Sequence, residues 1–302
     1  MIERRTFTFC DLEHPAYEAR GRRDGPPVAL IGGVHGCEYS SIAAVTRVMN
    51  ELDTSELAGT VTAVPIVSLE SFRQRSPFVV PADGKNLNRS FPGSYDGTYT
   101  DRLAASIFEQ IIEPADVLLD LHGGDMVEAL EPFAIYDASP VEDTAEAIAL
   151  AFGLPYVVRQ KDELEGMTST AAAAVGIPAV IAEAGGTGRL EEAAVSLLVD
   201  GVRNVLRHLE MLPGPVAPSQ SRLVGSFAML RASQDGWWEP AVRVADEVTA
   251  GQVVGTLRTL YGDVLEELYA ARDGVVLFLT TSPAVSVGGP LLGLGAEVRD
   301  GA

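Results

Sequence analysis

The sequence predicts an α/β fold, a mixed sheet flanked by helices, followed by a small all-β domain. Three observations carry this. Short apolar runs at 27–31, 116–121 and 179–182 each stop at Gly-Gly or at a charged or imidazole side chain within two residues of Gly-Gly, as buried strands do. Stretches of helical periodicity separate those runs, which implies a largely parallel or mixed sheet covered on both faces. After Pro213 the helical periodicity ends and short β-like runs punctuated by Gly take over.

In order along the chain, Pro27-Val28-Ala29-Leu30-Ile31 is the first buried strand and ends in Gly32-Gly33. Residues 40–52 place Ile42, Val45, Val48 and Met49 at helical spacing, with Ser40 or Ser41 near the N-cap. Residues 61–67 read as the next strand. The polar, Pro/Gly-rich stretch 68–99 is unusually long for a connection, and loops of that length are commonly functional. A helix over 101–112, the strand 116–121, helices over 141–152 and 168–175, the strand 179–182 and a long amphipathic helix over 190–212 follow. Pro213-Gly214-Pro215 and Pro218 mark a linker. The expected division is therefore a catalytic domain over 1–212 and a β-barrel-like accessory domain over 213–302.

Composition narrows the function classes. A net charge of −20 over 302 residues argues against nucleic acid, since phosphate binding needs a positive surface. The acidity fits solubility or a salty cytosol, and charge total alone does not select a cationic substrate. No run approaches the roughly 18 apolar residues of a membrane helix. The charged start Met1-Ile2-Glu3-Arg4-Arg5 lacks the apolar segment of a secretory signal. Cys10 and Cys37, the two cysteines, do not make a disulfide framework, so the expected compartment is the cytoplasm.

The strongest chemical signal is Gly33-Val34-His35-Gly36-Cys37-Glu38, directly after a buried strand and before a helix. Sites in open α/β sheets collect at the carboxyl ends of strands. His35 and Glu38 stand three apart, and Gly36 between them is expected to let the turn bend so that both side chains face one point. Two His and one Glu with a fourth position for solvent form an established catalytic zinc set. Of the four histidines, His14, His35, His122 and His208, the one that ends a strand and precedes Gly-Gly is His122, which makes it the third candidate. A second signal is Asp83-Gly84-Lys85-Asn86-Leu87-Asn88-Arg89-Ser90-Phe91-Pro92-Gly93 in the long loop. An Asn-Arg pair there suits a carboxylate clamp, although Asp-Gly and Pro-Gly also read as plain turns. A third is Ala182-Glu183-Ala184-Gly185-Gly186. A Glu closing an apolar strand is disfavoured by desolvation unless it has a partner or a task, such as general base.

Together these segments resemble the succinylglutamate desuccinylase and aspartoacylase family, a branch of the zinc carboxypeptidase-like enzymes, over residues 25 to 212. The resemblance implies a zinc-carboxypeptidase-like sheet, one zinc ion held by His35, Glu38 and His122, Glu183 as catalytic base, and Asn88 with Arg89 as the substrate-carboxylate clamp. It also implies an arginine that polarises the scissile carbonyl. Phe72-Arg73-Gln74-Arg75-Ser76-Pro77 offers Arg75, with Arg73 as the other candidate. Asn86 stands where relatives often place an Asp beside a zinc-bound His. Asp120, on the same strand face as His122, is expected to supply negative charge behind that ring instead. The trailing segment resembles a biotinyl/lipoyl-like barrel, but both lysines, Lys85 and Lys161, precede it, so nothing can be attached there.

The expected activity is zinc-dependent hydrolysis of the amide of a small N-acyl amino acid. A metallocarboxypeptidase acting on peptides and a non-catalytic carboxylate-binding protein are the rival readings. Expected partners are the small-molecule substrate and neither nucleic acid nor membrane, with a homo-oligomer left open.

Overall fold

The computed structural model of the chain describes residues 1–161 and 165–300. Its first twenty residues contain no long apolar run, yet they form a hairpin. Strand β1 (Ile2–Phe9) pairs antiparallel with β2 (Leu12–Arg20). Glu3, Arg4, Arg5, Glu13 and Arg20 are exposed, while Phe9, Ala16 and Ala19 are buried together with Glu18, which pairs with Arg5 and Arg20. There follow β3 (Arg23–Gly32), α1 (Tyr39–Glu51), β4 (Ala58–Val64) and α2 (Leu69–Gln74). A 3-10 turn at Leu87–Arg89 leads to α3 (Tyr99–Ile107), which runs into a π turn at Phe108–Ile112. Next come β5 (Val117–His122), β6 (Glu128–Leu130), β7 (Phe133–Asp137), α4 (Glu142–Phe152), β8 (Tyr156–Gln160), α5 (Thr168–Ala174), β9 (Ala179–Glu183) and α6 (Glu192–His208). Everything ordered beyond is strand: β10 (Arg222–Arg231), β11 (Gly236–Pro240), β12 (Glu247–Val248), β13 (Val253–Arg258), β14 (Val264–Tyr269), β15 (Gly274–Thr280), β16 (Ala284–Val285) and β17 (Pro290–Asp300).

The sheet is mixed, in the order β1-β2-β4-β3-β5-β9-β7-β8-β10-β17-β15-β12. Its centre, β4-β3-β5-β9, is parallel, with Val28 opposite Val117 and Leu118 opposite Ala179. Side chains in these strands divide between two cores. Val28, Leu30, Leu119, Leu121, Val180 and Ala182 pack with α1, α4 and α6. Ala29, Ile31, Leu118 and Ala179 pack on the other face with α3, the π turn and α5. This two-sided burial is why the strands read as continuous apolar runs and not as alternation.

The stretch 68–98 is pinned along its length. Val67 and Ser68 donate to Gly32 O and Gly33 O, and Val80, Leu87 and Phe91 are buried in the core of the α3 face. Asp83 accepts from Thr98 Oγ1, Thr100 Oγ1 and Thr100 N. Burial would raise this carboxyl, but these donors hold it at about 2.

Across the linker after Pro213 the sheet continues. Strand β10 runs parallel to β8, with Arg222 opposite Tyr156, and β15 pairs with β6. A second sheet, β14-β13-β11-β16, encloses a core around Trp238, whose Nε1 donates to Thr280 O. The all-β character expected after 213 is present to residue 300; residues 301–302 of that expected span lie outside the described residues. Cys10 and Cys37 are unpaired. Among the described residues no helix is long and apolar enough to cross a membrane.

Helices α4 and α6 cross closely because Gly201 has no side chain. A Cβ there would lie 2.0 Å from Cε1 of the buried Phe152 ring. In an open helix, Gly→Ala gains about 1 kcal/mol. Here Gly201→Ala is expected to lower stability by about 1–3 kcal/mol through overpacking, read as a lower urea midpoint at unchanged m-value.

Candidate active site

The carboxyl ends of β3, β5 and β9 lie side by side, and each delivers one element of the site. Strand β3 is followed by Gly33, whose φ of +60° turns the chain sharply toward His35. Gly36 follows, though not for the reason its position invites. Its φ is not left-handed; a Cβ at Gly36 would lie 2.1 Å from Phe72 N, so the residue is small because the turn presses on the backbone of α2. Glu38 then stands at the start of α1, with its backbone N–H on His35 O. In β5, His122 shares a strand face with Asp120, and β9 brings Glu183 into register opposite His122.

The three side chains converge on Glu38. Its Oε1 lies 2.7 Å from His35 Nδ1 and its Oε2 3.1 Å from His122 Nδ1, with Gly123 N–H donating to Oε2 at 3.3 Å. The two imidazoles meet edge to face with centroids 5.3 Å apart. One ligand atom from each of His35, Glu38 and His122 lies within 4.8 Å of the others, a group able to hold a metal ion.

Each imidazole is oriented from behind. His35 Nε2 lies 3.0 Å from Asn86 Oδ1, and His122 Nε2 lies 3.0 Å from Asp120 Oδ2. Asn88 N–H donates to Asn86 Oδ1 at 2.8 Å, which fixes that oxygen as the acceptor. Both rings therefore carry a proton on Nε2 and turn Nδ1 inward. Burial alone would depress the imidazoles, but Glu38 raises His35, and Asp120 with Glu38 raises His122 well above its ordinary value. For Glu38 burial acts upward, yet the two imidazoles hold it far below the carboxylate range.

Asn88 Oδ1 accepts from Thr168 N at 2.9 Å, and Thr168 Oγ1 donates to Asp120 Oδ2 at 2.5 Å. Thr168, at the start of α5, thus ties the loop carrying Asn88 to the acid behind His122; the sequence marked it only as a helical residue. Asn88 is buried, while Arg89 beside it opens onto the cavity and donates to Asn88 O. Burial and the nearby charge of Arg231 lower the Arg89 guanidinium. Glu183 is half-buried and lines the cavity. Its desolvation, opposed by His122 and His35 and aided by Glu38, raises its carboxyl to about 8.

These groups border a cavity of about 340 Å³ lined by His35, Glu38, Asn86, Asn88, Arg89, His122 and Glu183, with Phe78, Met167, Phe227 and Phe278 among its apolar walls. Arg73 and Arg75 are not in this lining. Both are exposed at the end of α2, where Arg75 takes a left-handed φ of +53°. The remaining histidines lie elsewhere, His14 packed on Phe9 in the first hairpin and His208 at the end of α6. Sequence reasoning missed Glu128 and Arg231, which also line the cavity. Arg231 arrives from the far end of β10, a strand that pairs with β8 at its start and with β17 along its length. Glu128 sits six residues beyond His122, and its spacing carried no metal or clamp pattern.

Comparison with known proteins finds relatives along most of the chain. Residues 24–209 match the model of the succinylglutamate desuccinylase/aspartoacylase catalytic domain. The chain is 32% identical over 284 residues to the N-alpha-acetyl-L-2,4-diaminobutyric acid deacetylase of Halomonas elongata, covering 88% of this chain and 81% of that protein. A succinylglutamate desuccinylase/aspartoacylase structure from Rhodobacter sphaeroides superposes with TM-score 0.85 at 27% identity, over 96% of this chain and 90% of that one. The product-bound ectoine utilization protein EutE (DoeB) from Ruegeria pomeroyi superposes with TM-score 0.86 at 25% identity, over 97% and 95%. A family match across the parallel sheet and its strand-end site, with a relative similar along most of its length, has one meaning: the chain belongs to the succinylglutamate desuccinylase/aspartoacylase family.

Proposed function

We propose that the protein is a zinc-dependent amidohydrolase that removes the acyl group from a small N-acyl amino acid. One observation carries this reading. Both oxygens of a buried carboxylate, Glu38, face the Nδ1 atoms of two imidazoles whose outer nitrogens are held by acceptors, beside a cavity that also holds Glu183 and Arg89. Two neutral imidazoles and one carboxylate are the donor chemistry zinc takes in hydrolases. His35, Glu38 and His122 would hold the ion. When bound, zinc supplies Lewis acidity that polarises a carbonyl and acidifies water near neutral pH.

The chain's own residues do the rest. Glu183, kept basic by burial, takes a proton from the attacking water and delivers it to the departing amine nitrogen. Arg89 binds the substrate carboxylate, and Asn88, with Oδ1 committed to Thr168 N–H, offers its Nδ2 donors to the same group. Asn86 and Asp120 keep the rings aimed. Asn86 brings no charge, so His122, backed by Asp120, is the more basic of the pair. Arg75 is assigned to carbonyl polarisation. In this conformation it stands outside the cavity, beside the Cys37–Tyr39 turn whose groups its charge influences, so the role requires closure of the α2 end over the substrate.

A metallocarboxypeptidase shares the metal set, but the size of this cavity favours a small acyl amino acid. The wall built by Phe227 and Phe278 from the C-terminal strands gives those strands the task of narrowing the cleft. We assign residues 213–302 as an accessory domain of biotinyl/lipoyl-like type, and the cytoplasm as the compartment.

Three outcomes check this account. In a panel of N-acetyl and N-succinyl amino acids set against peptides, hydrolysis is confined to the acyl amino acids, is lost on chelation and returns with zinc. Glu183→Ala retains its zinc but loses about 10²–10⁴-fold in kcat, the range of general acid–base catalysis. Arg75→Ala lowers kcat by about 10²–10³-fold, as removal of an oxyanion donor does, whereas Arg73→Ala stays within about threefold of the parent on the same scale; equal activity of both variants would remove Arg75 from the mechanism.

A further inference from the structure

Beyond His122, strand β5 leads into a turn that carries an acid with no part in the chemistry described above. Asp125 is fully buried and forms no ion pair among the described residues. Both of its oxygens go to backbone donors: Oδ1 accepts from Met126 N at 2.6 Å and Oδ2 from Phe78 N at 2.7 Å. The acid is held in place, because its own N–H bonds Glu128 Oε2 at 3.0 Å and its carbonyl accepts from Glu128 N. Burial raises its carboxyl against the pull of the two amides, and the charge of Glu38 adds to the rise. A neutral acceptor would serve a plain turn with a smaller desolvation penalty.

What the acid holds is strained. Phe78 has a left-handed φ of +60°, and Val79 N–H donates to Pro77 O at 2.7 Å across it. That is a γ-turn of the rare hand, unfavourable at a bulky side chain. Val79 O is held in its turn by Ser76 Oγ at 2.8 Å and Ser71 Oγ at 3.3 Å. Such a conformation persists only where the surroundings over-determine it, and outliers of this kind gather at functional sites. A left-handed bulky residue costs about what one charge-assisted hydrogen bond returns, and more than a typical neutral bond does. The charge on Asp125 is therefore matched to the turn. What the turn achieves is placement: the half-buried Phe78 stands in the wall of the cavity that also holds His35, Glu38 and Glu183.

We infer that Asp125 is a positioning residue: through the Phe78 N–H it locks the γ-turn, and the turn holds the Phe78 ring where it packs on bound substrate. This rests on the deacylase reading above. Asp125 touches no reacting group, and its effect on the reaction passes through Phe78 alone.

The test is a double-mutant cycle on zinc-loaded enzyme with the best acyl amino acid of the panel above, using Asp125→Asn, Phe78→Gly and the two combined. Asn keeps the shape of the acid but removes its charge and leaves one of the two backbone donors unanswered. Gly takes a left-handed φ without penalty and carries no ring. Asp125→Asn alone is expected to raise KM about 5- to 15-fold, the difference between a charged and a neutral hydrogen bond, with kcat within about threefold and zinc content unchanged. On the Phe78→Gly background the same substitution is expected to move KM by less than about twofold. A purely structural acid would raise KM alike on both backgrounds. That result, loss of zinc, or an unchanged KM in Asp125→Asn overturns the inference. Amide hydrogen exchange at Phe78 is a readout independent of turnover: it is expected to be about tenfold faster in Asp125→Asn, and an unchanged rate overturns the inference. If the parent hydrolyses no acyl amino acid, the deacylase reading fails, and the exchange rates still decide whether Asp125 locks the turn. If Asp125→Asn does not fold, a folded double variant sustains the coupling and an unfolded one overturns it.

Discussion

Everything in the site depends on the parallel alignment of β3, β5 and β9. Parallel register carries the carboxyl ends of three strands to one edge of the sheet, and there the sequence changes from apolar residues to His35, His122 and Glu183. Strands buried on both faces hold their ends without freedom to slip, because a one-residue shift would exchange the two cores. Two imidazoles and two carboxylates packed at one point are costly to desolvate. The sheet offsets that cost with burial elsewhere, and a hydrogen-bonded network runs from Asn86 through Asn88 and Thr168 to Asp120 Oδ2, with Oδ1 of that acid left without a hydrogen-bond partner.

That network joins parts of the chain that are remote in sequence. Thr168 bonds both to the loop carrying the clamp and to the acid behind His122, so the metal-holding group and the carboxylate clamp share one support. A displacement at the start of α5 would reach both. The long stretch 68–98 behaves likewise. Anchored on β3 through Val67 and Ser68 and on α3 through Asp83, it positions Asn86, Asn88 and Arg89 as firmly as a regular element would.

The parts legible in the sequence were those where one short segment carries both structure and chemistry. His35, Glu38, His122 and Glu183 stood out because charged residues at the ends of apolar runs need a reason to be there, and the structure brings all four together. Asn86, Asn88, Arg89 and Asp120 also join them. What escaped notice lacked such a local signature. The hairpin β1–β2 is largely exposed and shows no apolar run, and β7 and β8 are short strands with polar ends. Glu128 and Arg231 lie on strands, β6 and β10, whose pairings with β15, β8 and β17 no spacing announces. Gly36 was noticed for a bend, whereas its actual constraint is contact with α2, a helix hidden inside what reads as loop. Arg73 and Arg75 were chosen by resemblance alone, and the structure leaves both outside the cavity wall.

The central claim is that one zinc ion sits between the inward-facing Nδ1 atoms and the Glu38 carboxylate. Anomalous scattering from zinc-loaded crystals, collected on both sides of the zinc absorption edge, tests this most directly. The account predicts a single strong peak bounded by His35 Nδ1, His122 Nδ1 and Glu38, with Asn86 and Asp120 still on the two Nε2 atoms. A peak elsewhere, or His35 and His122 turned apart with no ion between them, would contradict it.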